Sequence, residues 1–305
     1  MQRPILLPMV ILLSTTLWLE PVYAGIFSVS EADEIAIGRA AVVQVEQKVT
    51  LLQDRQVQRY ISRLGHELAA RSGRPNLPWR FRVIRDNNIN AFALPGGFIY
   101  IHSKVLETVG SEAELASVLA HEIGHIEGYH HRSQIERAKR YQLGLGVLGA
   151  VLGRGGGADY AMLAGNLLAQ GQLTRYSRQS EADADRRGVL LLQRTGFNPM
   201  AMSRFLQHLV KLERGNSGIL SSFFADHPDA ASRVAVTRNQ ARLLPQRLWR
   251  RDSRAFRLIS GRASRSGFRI EQRPQSSHGG LRIPSRSGQG HDSRGQDREG
   301  ARIIP

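Results

Sequence analysis

Two histidines four residues apart, His121 and His125, with Glu122 beside the first, constrain this chain more than any other feature of it. On a helix the two imidazoles share one face, displaced about 6 Å along the axis, and both can reach one tetrahedral zinc at about 2.0–2.1 Å. Glu122 then lies where its carboxylate can take a proton from a water on that zinc. The flanks supply the helix. Ser111-Glu112-Ala113-Glu114 reads as a capping box, and Leu115, Val118, Leu119, Ile123 and Ile126 recur at helical spacing. The spacing predicts a helix of about five turns, buried along an apolar stripe and carrying the motif.

The rest of any metal site must come from His or carboxylate. The chain of 305 residues has no cysteine, which excludes disulfides, thiol catalysis and cysteine-ligated metals. Glu181 and Asp185, in Glu181-Ala182-Asp183-Ala184-Asp185, stand one turn apart on one helix face with no opposite charge at the same spacing between them. Two like charges so placed call for a cation. Glu181 as a third zinc ligand, with Asp185 orienting a ligating histidine, satisfies this. The plain alternative is a solvated acidic face beside Arg178, Arg186 and Arg187. The net charge of +16 rests on 42 basic residues of which only four are Lys. So uniform an Arg preference reads as codon bias more than as phosphate recognition.

Three regions follow from composition. Residues 1–24 carry Arg3, an apolar run from Ile5 to Leu19, and Val22-Tyr23-Ala24 before Gly25, the pattern of a cleaved secretory signal peptide. The run is shorter than the ~20 residues that a spanning helix needs. Residues 25–245 hold the periodic segments. Residues 246–305 hold 14 Arg against 5 acidic residues, with Ser, Gly, Gln and Pro, and read as a disordered tail suited to anionic lipid or to plain solvation. The tail has only Trp249, Phe256 and Phe268 as aromatics, so a nucleic-acid partner is not expected.

Within 25–245, Ser28 or Ser30 caps a helix to about Gln47, and Val57, Ile61, Leu64 and Leu68 mark a second helix from about Asp54 to Ala70. Trp79, Phe81 and Val83 alternate as a strand. Asn90-Ala91-Phe92-Ala93-Leu94-Pro95-Gly96-Gly97 before Phe98-Ile99-Tyr100-Ile101 reads as strand, tight turn, strand, with the first strand at a sheet edge. Such an edge could receive an extended substrate, or be an ordinary hairpin. Residues 143–169 read equally as an apolar hairpin touching a membrane or client and as a buried helical pair. A helix with Met202, Phe205, Leu206 and Leu209 inward follows, and Asp226-His227-Pro228-Asp229 caps a last helix containing Arg233. His130, His131 and His208 read as surface or core histidines.

In this order, Asn90 to Gly97, His121 to His125, Glu181-x-x-Ala184-Asp185 and His227-Pro228 resemble the HtpX-like zinc metallopeptidases, the family of the CAAX prenyl proteases, and most of all its secreted periplasmic members. The resemblance covers about residues 28–245. It implies an α+β, mainly helical gluzincin domain with a small sheet beside the zinc helix. It also implies one zinc held by His121, His125 and Glu181, with Glu122 as general base and Asp185 behind the ligands. His227 would stabilise the oxyanion or cap the metal at rest, Arg233 would line the site, and Asn90, Ala91, Phe92 and Ala93 would bind substrate. The expected activity is that of a periplasmic endopeptidase acting on misfolded or outer-membrane proteins. The competing expectation is a zinc-stabilised, chaperone-like assembly factor with a latent site. The chain departs from the family in lacking multiple membrane spans, and from its periplasmic members in lacking the helical repeats expected after the catalytic domain.

Overall fold

Ser30 opens the first helix of the described residues, α1 (Glu31–Lys48), by accepting a hydrogen bond from Asp33 N while the Asp33 carboxylate accepts one from Ser30 N. The structure, a computed structural model, describes residues 28–144, 157–215 and 217–266. The expected leader 1–24, the glycine-rich stretch 145–156 and the tail beyond 266 lie outside the described residues. Asp54 caps α2 (Arg55–Ala69), whose Val57, Ile61, Leu64 and Leu68 form the predicted apolar stripe, with Tyr60 buried beside it. β1 (Arg80–Ile84), β2 (Ala91–Leu94) and β3 (Phe98–His102) make a sheet ordered β1-β3-β2, with β1 parallel and β2 antiparallel to β3. β3 is central and buried throughout, and β2 is an edge, as its Pro95-Gly96-Gly97 turn suggests.

Two apolar clusters cover the two faces of the sheet. Phe81, Val83, Ile99 and Ile101 meet α2 and the apolar face of α4 (Glu112–Glu127), while Ile84, Phe98 and Tyr100 meet Ile37 and Ala41 of α1. α3 (Ser103–Thr108) links β3 to α4, and α5 (His130–Gly144) follows it. Every residue of α4 from Glu112 to Ile126 is buried, so the helix is enclosed on all faces and not only along a stripe. α6 (Gly157–Ala169) buries Leu163, Ala164 and Leu167 in the α1 cluster. Packing therefore accounts for Leu163, Ala164 and Leu167, while Met162 stays exposed. Among the described residues no helix is long and apolar enough to cross a membrane.

α7 (Arg178–Thr195) packs against α4 at unusually close range. A Cβ on Gly124 would lie 2.6 Å from Ala184 O, so only glycine admits this approach, and it brings the acidic face of α7 onto the histidines of α4. α8 (Met200–Gly215), α9 (Ser221–Asp226) and α10 (Ala230–Arg242) close the other side.

The expected disordered tail from residue 246 is corrected for its first part. α11 (Arg254–Ser266) buries Phe256 and Ile259 in the main core. Asp252 accepts from Glu112 N at the start of α4, and Glu112 in turn accepts from Ser253 and Tyr60. Phe256 and Ile259 stand three apart on one helix face, enough to anchor a short helix despite the surrounding arginines.

Candidate metal centre

α4 aims two imidazoles at one point. His121 Nε2 and His125 Nε2 are 3.0 Å apart, and the Glu181 carboxylate from α7 places its oxygens 3.4 Å from the first and 3.3 Å from the second. His227, just after α9, brings Nδ1 to 3.3 Å from His121 Nε2 and 3.1 Å from Glu181. The four donor atoms lie within 4.8 Å of one another and all four residues are buried. A tetrahedron with centre-to-corner distances of about 2.0–2.1 Å has edges of about 3.3 Å, so these separations are those of a four-coordinate site. Three imidazole nitrogens and a carboxylate, with no thiol in the chain, suit zinc-like dications.

Behind the donors stand groups that fix them. His121 Nδ1 donates to Asp185 Oδ1 at 3.0 Å, so that the neutral ring carries its lone pair on Nε2. Arg233 of α10 donates to both oxygens of Asp185 at 2.7 Å and pairs with Glu181. Burial raises the Asp185 and Glu181 carboxyls, but Arg233 outweighs it for Asp185, and His227 and Arg233 outweigh it for Glu181. Both are held below the usual carboxylate range, Glu181 well below. Burial works against a proton on His121, yet Glu181 and Asp185 hold its pKa at about 9. The same balance, with Glu181 and Glu122 facing it, raises His227.

Glu122 is buried beside this cluster. Its Oε1 is 3.6 Å from His227 Nε2, and its Oε2 has no hydrogen-bond partner among the described residues. Burial pushes its pKa up, offset in part by His227 and His121.

The edge strand runs alongside. Asn90 donates to Asp226 at 3.0 Å and accepts from Ala91 N, His227 Nε2 donates to Ala91 O at 3.1 Å, and His131 Nε2 meets Ala93 O at 3.1 Å. Phe92 turns to the other face and stacks on Tyr100, so Ala91 and Ala93 face the site while Phe92 does not. Asp229 stands at the N-cap of α10 in a left-handed conformation, φ 63°, without a side-chain cap bond, and α10 is followed by α11, so it is not the last helix.

Sequence spacing assigns no role to Tyr176 and leaves His130 and His131 as surface or core histidines. Tyr176 stacks on His125 with ring centroids 3.5 Å apart and places its hydroxyl 2.8 Å from His131 Nε2. His131 is fully buried. His130 Nδ1 lies 2.9 Å from His125 Nδ1. A continuous helix would put residue 130 about 140° around from residue 125, and only the break at Gly128 returns it.

The model of Peptidase family M48 matches residues 55–241. The chain is 36% identical over 213 residues to a β-barrel assembly-enhancing protease of Yersinia pestis, covering 68% of this chain and 44% of that protein. It is 32% identical over 175 residues to a mitochondrial metalloendopeptidase of Schizosaccharomyces pombe, covering 57% of this chain and 50% of that one. To the metalloprotease LoiP of Escherichia coli it is 28% identical over 166 residues, covering 53% and 63%. The chain thus spans about half the length of the first two relatives and under two thirds of the third. With the family model covering more than half of the sequence, the α4 and α7 motifs included, this chain belongs to peptidase family M48.

Proposed function

We propose that the chain is a zinc-dependent endopeptidase of the bacterial envelope, exported to the periplasm by residues 1–24 and acting on misfolded or outer-membrane proteins. One observation carries the catalytic part of this reading: four buried donor atoms at tetrahedral spacing beside a buried carboxylate oxygen that lacks a partner. The relatives named β-barrel assembly-enhancing proteases support the substrate class.

His121, His125 and Glu181 hold the ion in this reading. Bound there, a zinc ion would supply Lewis acidity toward the scissile carbonyl and would lower the pKa of a water toward ~7. Glu122 accepts the water's proton and delivers it to the leaving amine, a transfer favoured by a carboxyl whose pKa burial has raised. Asp185 keeps His121 in the tautomer that points Nε2 inward, and Arg233 holds Asp185 and Glu181 in place.

His227 joins the metal corner to the substrate edge. Its Nδ1 sits in the fourth corner while its Nε2 holds Ala91 O, so its contacts favour the resting cap over the oxyanion role. Moving it away would free its corner of the site and the Ala91 carbonyl together, opening that end of the β2 edge to an extended peptide.

The test is metal content of purified chain together with casein cleavage, with and without chelator, in wild type and Glu122→Gln. One zinc per chain, with cleavage lost to chelator and to the substitution while zinc is kept, is the expected result. Cleavage by Glu122→Gln at the wild-type rate overturns the mechanism. A second reading, a chaperone-like factor with a latent site, draws on the cavity beside His121, Glu122 and Arg233, which holds only about 20 Å³ and admits no peptide. Zinc without cleavage, together with suppression of client aggregation, is its signature.

A further inference from the structure

The end of α4 is built in a way that helix packing alone does not require. After Glu127 the chain breaks at Gly128, and Tyr129 takes a left-handed backbone conformation, φ 56°, that non-glycine residues rarely adopt. The guanidinium groups of Arg74 and Arg132 lie over its ring, at 4.5 and 4.7 Å from the ring centre. The break turns His130 back over the last turn of α4. There its Nδ1 lies 2.9 Å from His125 Nδ1, and its Nε2 lies 3.3 Å from Asp183 Oδ2 on α7. Gly128 leaves the space for this contact. A Cβ on it would fall 2.6 Å from His130 Nε2 and 2.7 Å from Asp183 Oδ2.

The protons on this chain of groups can be placed. With His125 Nε2 given to the ion, its ring proton is on Nδ1, 2.9 Å from His130 Nδ1, and is donated there. His130 Nδ1 is the acceptor, which puts the proton of neutral His130 on Nε2, facing the Asp183 carboxylate. Arg187 Nε donates to that same oxygen at 2.6 Å and keeps it ionised, and Arg186 pairs with the other. Every donor in the chain has an acceptor.

We propose that His130 and Asp183 are positioning residues for His125, a carboxylate–histidine–histidine chain that fixes its tautomer and ring orientation and so presents Nε2 to the metal. His121 has the same service from Asp185 directly. The left-handed Tyr129 is the backbone cost of bringing a second imidazole to that place, and a side chain at Gly128 would displace the His130 and Asp183 tips that meet there. This inference rests on the reading that the cluster binds a metal.

The experiment measures zinc affinity by competition with a chromophoric chelator, and the visible spectrum of the cobalt-substituted chain, in full-length wild type, His130→Phe, His130→Asn and Asp183→Ala. His130→Phe keeps the ring volume but loses the acceptor, and zinc binds 10–100-fold more weakly with an altered cobalt spectrum. His130→Asn places an amide oxygen where Nδ1 was and restores affinity to within about threefold. Asp183→Ala gives a smaller loss. Wild-type affinity in His130→Phe, or equal losses in the Phe and Asn variants, overturns the proposal. If His130→Phe does not fold, wild-type affinity and spectrum in Asp183→Ala overturn it, and a loss there supports it. Should wild type itself bind no zinc, the reading of the metal site fails, an outcome distinct from tight binding by every variant.

Discussion

His131 makes a quantitative test of how α5 is docked on the edge strand. The ring is fully buried and its Nε2 meets Ala93 O, while burial, countered incompletely by Glu34, lowers its pKa from 6.5 to about 4. A base whose folded pKa is depressed gives full stability above its unfolded pKa. As pH falls below 6.5 the unfolded chain takes the proton and the folded chain does not, and the loss continues until about pH 4. Between pH 8 and pH 5 this one group should cost about 2 kcal/mol, at about 1.36 kcal/mol per pKa unit. His131→Gln keeps an amide donor for Ala93 O but does not titrate. Urea unfolding at both pH values, followed by tryptophan fluorescence in a Glu122→Gln background to prevent self-cleavage, isolates the effect as a double difference. The other titrating groups are common to both chains and cancel. Wild type should lose about 2 kcal/mol more than the His131→Gln chain on acidification. Equal losses, within about 0.5 kcal/mol, would refute a neutral, desolvated His131.

Arg233→Met removes the guanidinium shared by Asp185 and Glu181, and the buried carboxylates left behind should lower stability by about 3–5 kcal/mol in urea unfolding with chelator present. His227→Ala should raise the initial rate of cleavage of a short peptide while weakening zinc binding; a slower rate at saturating zinc would return the oxyanion role to His227. Phe256→Ala should cost about 3 kcal/mol, seen as a lower thermal midpoint, because α11 is anchored through that ring. A midpoint unchanged by Phe256→Ala would mean that the C-terminal helix is not docked.

What the sequence disclosed was local, and what it withheld depended on distant partners. The periodicity of Val57, Ile61, Leu64 and Leu68, the caps at Ser30 and Asp54, and the i, i+4 pair His121 and His125 each fix a geometry within one helix. His227 and Arg233 lie 106 and 112 residues from His121, and no spacing rule brings them to it; only the family resemblance pointed there. Phe256 and Ile259 were lost in an arginine-rich composition averaged over sixty residues. The Glu181–Asp185 pair is the instructive case, since two like charges one turn apart did call for a cation. The structure supplies Arg233, bonded to both carboxylates, so the pair by itself does not establish a metal. The wider charge balance does more. Ionised Glu122, Glu181 and Asp185 carry three negative charges, Arg233 returns one, and the residue of two is what a dication cancels in a buried site. Protons on His121 and His227 cancel it equally well, and those are the two imidazoles whose affinity for protons the site raises. Metal and protons therefore compete for the same deficit, and the arrangement of carboxylates around the histidines is explained by the charge they are there to receive.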